Sequence, residues 1–152
     1  MSATDTIVLL VALASTWAMT GVIWVMQLVH YPIFDAIEPG DDDELWQRFA
    51  RRHTSTISPV VGPLMLAEGT TGLALVASPP ADIGRLLPLV ALALMGVAYG
   101  TTALVSARLH GRLGPRFDPA LHRRLLTTNW LRTAAWSTRA VVMCVIVALA
   151  IA

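Results

Sequence analysis

The fold this chain predicts is all-α: an integral membrane, up-and-down four-helix bundle forming a single domain over residues 1–152. Hydrophobic residues make up 55% of the chain and charged residues only 14%, with a mean hydropathy of +0.63. That balance belongs to the membrane class. The apolar sequence divides into four stretches, each meeting the ~20 residues needed to cross ~30 Å of hydrocarbon. The breaks between them are short and rich in Pro, Gly and Asp. Short breaks make consecutive helices antiparallel neighbours.

The first span is expected over residues 6–30, starting too long and without the basic flank of a cleavable signal. The second helix is expected from about residue 42, where it extends beyond the membrane on the cytoplasmic side, and its span covers 54–77. Pro39-Gly40 ends the preceding connection, and Asp41 with Glu44 matches a capping box. Pro59 and Pro63, flanking Gly62, predict a kink or local opening in this helix. Pro79-Pro80 breaks the chain and Asp82 can cap the third helix, whose span covers 83–108. Gly114-Pro115 ends that helix. Asp118 followed by Pro119 fits the start of the fourth, with its span over 126–152.

Arginine sets the orientation. All 11 basic residues are Arg, and Arg48, Arg51, Arg52, Arg108, Arg112, Arg116, Arg123 and Arg124 fall at one end of the bundle. The other end has Arg85. The positive-inside rule puts the Arg-rich turns in the cytoplasm and both termini outside. Cys144 is the single cysteine, so no intrachain disulfide forms.

His30, His53, His110 and His122 each sit beside a cytoplasmic turn, at similar depth. Helical spacing aligns Thr20, Trp24, Gln27 and His30 on the first helix, with Tyr31 next along. It aligns His53, Ile57, Leu64 and Glu68 on the second, and Tyr99, Thr102, Ser106 and His110 on the third. On the fourth it aligns Asn129, Arg132, Trp136 and Arg139. Polar side chains inside a bilayer turn toward the bundle interior, because lipid offers no partners. His122, beside Arg123 and Arg124, is expected to be the most solvated of the four histidines.

Glu68 is the carboxylate within a span. It lies 10 residues before Ser78, hence ~15 Å below the outer surface at 1.5 Å per residue. It needs a proton, water or a cation. Depth favours Arg139 as its partner and puts Arg132 at the level of Gln27 and the histidines, although helix tilt leaves Arg132 open as the alternative.

Two kinds of chemistry fit these residues. In the first, His30, His53, His110 and Arg132 act on a small lipophilic ligand, with histidine as acid or base and Arg132 and Asn129 holding a polarised oxygen. Gln27, Trp24, Tyr31, Asn129 and Trp136 would bind the ligand, with Glu68 and Arg139 deeper and Trp130 as a further flanking ring. No cofactor is then required. In the second, the chain binds a transition metal or haem through His30, His53, His110 and His122. No HxxxH, ExxH or HExxH pair occurs, so each ligand would come from a different helix. A third reading is a non-enzymatic transporter subunit or accessory bundle, a homo-oligomer packed through Gly96 and Gly100, a GxxxG pair. No nucleotide loop or nucleic-acid motif is present.

The segments "WVMQLVHYPIF", "SARLHGRL" and "NWLRTAAWSTR" resemble motifs of small four-span bacterial integral membrane proteins. More distantly, the arrangement is similar to the anthrone oxygenase-like membrane proteins. That resemblance implies a multi-pass protein of the bacterial cytoplasmic membrane and oxidation of an aromatic, lipophilic substrate. It brings no catalytic residues with it.

Overall fold

The computed structural model describes residues 2–36, 43–80 and 83–152. Four long helices account for most of them: α1 (Ala3–Asp35), α2 (Asp43–Ala77), α3 (Leu86–Leu113) and α4 (Pro119–Ile151). Each is long and apolar enough to cross a membrane. No strand occurs among the described residues.

The helix ends follow local chemistry. Ser2 caps α1 in a reciprocal box, its hydroxyl accepting from the Asp5 N–H while the Asp5 carboxylate accepts from the Ser2 N–H. Asp118 caps α4 by accepting from the N–H groups of Ala120 and Leu121, and Pro119 occupies the first turn. The expected Pro39-Gly40 break and the caps at Asp41 and Asp82 lie outside the described residues. α2 continues as a helix through both Pro59 and Pro63, which with Gly62 lie on its exposed face.

Two helices change pitch at the histidine end. α1 contains a π turn at Met26–His30, then resumes as α-helix beyond the expected end at His30. The π turn ends two residues before Pro32, which donates no hydrogen bond and whose ring crowds the preceding α turn; the wider turn accommodates it. α3 has a second π turn at Thr102–Ser106. There the hydroxyls of Thr101 and Thr102 bond to the carbonyls of Val97 and Ala98, competing with the backbone ladder.

The helices do not pack evenly. α1 lies against α2 and α4, and α3 against α4, whereas α2 and α3 touch sparsely. The interior divides into two apolar groups. One, at the histidine end, includes Ile23, Trp46, Leu109, Leu125 and Trp136. The other, at the opposite end, includes Leu9, Leu75, Ala91, Met143 and Ile146. Where lipid surrounds the helices, such contacts hold through close packing rather than release of water. Gly72 supports one close approach: a Cβ there would lie 3.4 Å from Arg139 Nη2. A Cβ at Gly96 or Gly100 would meet no described residue within 4 Å, so the GxxxG pair packs against none of the described helices.

Candidate functional site

Polar ties between α2 and α3 leave a gap between them. At the histidine end, Trp46 Nε1 donates to the Leu113 carbonyl and Gln47 Nε2 to the Pro115 carbonyl at 3.0 Å. Further along, the Tyr99 hydroxyl donates to the Met65 carbonyl at 2.6 Å. Trp46 and Met65 are 19 residues apart, about 28 Å of helix. Between the two ties lies a cleft of about 750 Å³. α1 and the Arg132 side chain of α4 form its back wall, and α2 and α3 its sides. Most of the surface is apolar, from Ile23, Met26, Ile57 and Val61 among others.

Polar side chains punctuate the lining, among them Gln47, Arg51, Thr54, Ser58 and Thr102. Tyr31, His53, Ser106, His110 and Arg132 all contribute to it. The Tyr31 hydroxyl lies 3.2 Å from His110 Nε2. The rings of His53 and His110 are 5.2 Å apart between centroids. His53 Nδ1 lies 2.8 Å from His30 Nε2. A hydrogen bond between two imidazole nitrogens needs one N–H and one lone pair, so this pair shares a single proton across the contact. His30 stands behind His53, away from the cleft lining, with its ring against Phe34 and Phe49.

The π turn explains this arrangement. An extra residue in one turn rotates everything after it by about 100° relative to an unbroken α-helix. Tyr31 and Phe34 thereby enter the interior, and His30 is left beside α2, facing His53.

Arg132 donates from Nη1 to the Ser106 hydroxyl at 3.0 Å, and its guanidinium sits 5.5 Å from the centre of the Trp136 ring. Asn129 and Gln27 form a separate buried layer outside the lining. Asn129 Nδ2 donates to Gln27 Oε1 at 2.8 Å, and Gln27 Nε2 donates to the Leu126 carbonyl.

Glu68 and Arg139 pair, with Arg139 Nε 2.8 Å from Glu68 Oε1. Glu68 Oε1 also accepts from Thr16, and Oε2 from Trp136 Nε1 and the Tyr99 hydroxyl. Arg139 Nη1 donates to the Ala91 carbonyl. One carboxylate and one guanidinium thus join all four helices. Sequence reasoning missed Thr16 and Tyr99 as members. Thr16, one turn before Thr20 on an apolar helix, was the available signal.

Three expectations need correction. His122 is not solvated: it is 1% exposed, stacked on Phe34 and packed against Phe117. Its Nδ1 lies 2.8 Å from Asp35 Oδ1 and its Nε2 3.0 Å from the Tyr31 carbonyl. Both ring nitrogens therefore face oxygen acceptors. The Phe34 ring contacts both His122 and His53, and among the described residues no ring contact joins His122 to the other three histidines. Trp24 does not face the interior. It is 39% exposed, donates to the Ser137 hydroxyl and meets Trp130 edge to face on the outer surface of α1 and α4. Trp136 is buried, but it serves the Glu68 carboxylate rather than the cleft.

The donor set fits neither a metal ion nor haem as arranged. Two nitrogens sharing a tetrahedral zinc at ~2.05 Å each stand about 3.3 Å apart; His30 and His53 are closer and bond to each other. Among the described residues no group of three or more His, Cys, Asp or Glu side chains is set to hold a metal. His53 and His110 lie side by side at 39°, not opposed across room for a macrocycle.

No known protein family, characterised protein or solved structure matches the chain.

Proposed function

We propose that this is a multi-pass protein of the bacterial cytoplasmic membrane, with its termini outside, whose α2–α3 cleft binds a small lipophilic molecule and performs acid–base chemistry on it. The observation that carries this reading is the contact series Tyr31, His110, His53 and His30, which begins on the wall of an apolar cleft. Histidine and tyrosine can give or take a proton, and a ligand in the cleft would meet His53, His110 and Tyr31 first. His30, bonded behind His53, can receive the proton that His53 takes. The seam between α2 and α3 gives a lipid-soluble molecule a sideways entrance. The resemblance to anthrone oxygenase-like proteins directs the same site toward oxidation of an aromatic ligand; the residues themselves supply the acid–base part.

Binding of 1-naphthol to protein in phosphatidylcholine nanodiscs, corrected for empty discs, tests the reading. Binding should be saturable with one site. It should be lost in Ala107→Trp, which fills the cleft from an exposed position on α3. Equal binding by the wild type and that variant would sink the cleft as the site.

A further inference from the structure

Arg132 is a buried cation without a counter-charge among the described residues. It is 9% exposed and lines the cleft. Among the described residues it donates to the neutral Ser106 hydroxyl and has the Tyr31 hydroxyl within hydrogen-bonding reach, its Nε has no partner, and no carboxylate lies within ion-pair distance. The nearest buried carboxylate along the bundle, Glu68, already accepts from Arg139, Thr16, Trp136 and Tyr99. The described cleft lining holds Arg51 and Arg132, and no Asp or Glu. Trp136 offers the guanidinium only the face of an aromatic ring.

A charged side chain within a membrane helix is costly and is normally paired with a charge or carbonyl. Arg139 follows that rule, with Glu68 and the Ala91 carbonyl as partners. Arg132 does not, and its side chain lines a cavity large enough for a ligand. The Tyr31 hydroxyl and His110 are within its electrostatic reach.

We infer that the occupant of the cleft supplies the counter-ion of Arg132. It is an oxyanion, a carboxylate, phenolate or phosphate, carried on an apolar body, and it seats the anion at Arg132 and Ser106 with the body against Ile57 and Val61. This rests on the cleft being a ligand site, and it adds the charge of the ligand. The oxyanion has two available sources, a small lipophilic acid or an anionic phospholipid headgroup.

The test compares 1-naphthoate with its uncharged methyl ester on the intact protein in phosphatidylcholine nanodiscs. The anion should bind about ten- to a hundredfold more tightly, the range of one charge-assisted hydrogen-bonded contact. Arg132→Gln should abolish the preference while keeping ester binding, and Arg132→Lys should keep part of it. Retained ester binding also shows that the variant is folded. Repeating the titration with phosphatidylglycerol in the discs separates the sources. Unchanged naphthoate binding assigns the anion to a small acid, and competitive loss assigns it to the lipid headgroup; either supports the inference. Equal binding of anion and ester by the wild type would overturn the charge assignment and leave the ligand site standing. If neither binds, nor 1-naphthol, the site itself falls.

Discussion

Glu68 and Arg139 show what one ion pair does when each partner also bonds to several helices. Removing Arg139 would leave a buried carboxylate without its cation, and three neutral donors cannot replace the lost charge. Arg139→Ala should therefore destabilise the bundle by about 3–5 kcal/mol. Glu68→Met with Arg139→Met removes both charges and should cost less than the single change. Unfolding in detergent by denaturant titration would measure both, and a double variant weaker than the single would contradict this account. Tyr31 differs, because its hydroxyl contacts His110 with Arg132 also in reach, and its ring is packed. Tyr31→Phe should keep the fold and lose about 0.5–1.5 kcal/mol, the net value of one hydrogen bond. A thermal melt showing a loss several times larger would mean that the hydroxyl holds the core, not the site.

The π turns convert these residues into a site. Pro32→Ala removes the ring that the wider turn accommodates, so Met26–His30 should return to α pitch at unchanged length and turn the segment after it by about 100°. His30 would leave His53, and Tyr31 would leave His110. Saturable 1-naphthol binding should then disappear while far-ultraviolet circular dichroism keeps its helical amplitude; retained binding would show that the site tolerates α pitch. The same feature marks how far the sequence could be read. Helix number and the Asp118-Pro119 cap were legible, since apolar length and Asp-Pro punctuation act locally, whereas the Ser2–Asp5 box and the run of α1 past His30 were not. The pairing of Glu68 with Arg139 was legible too, because rise per residue fixes depth. The inward face of α1 near its end was not, since a 3.6-residue repeat assumes unbroken pitch. His122 was misread because Arg123 and Arg124 flank it, yet consecutive helical residues point about 100° apart and neighbours say nothing of its face.

The molecule as a whole is polarised. Its arginines crowd the end that carries the α2 extension, Trp46 and the three touching histidines, and the opposite end has Arg85. The cleft belongs to the Arg-rich half, so the side of the membrane holding that half decides which compartment the His30 end of the contact series meets. Positive-inside sorting acts on short basic loops during insertion, and both Arg-rich turns qualify. In a Cys144→Ser background, Ser2→Cys and Ala152→Cys should react with a membrane-impermeant maleimide on intact cells. Ala120→Cys, exposed at the start of α4, should react only after the membrane is opened. Cys144 must be removed first, because it is itself exposed on α4. The reverse pattern would place His30 and Arg51 outside, so protons taken from a ligand would leave to the exterior. Cytoplasmic reactivity of Ala120→Cys would fix the proton exit of the site on the inner side and leave the α2–α3 seam as the route for the ligand.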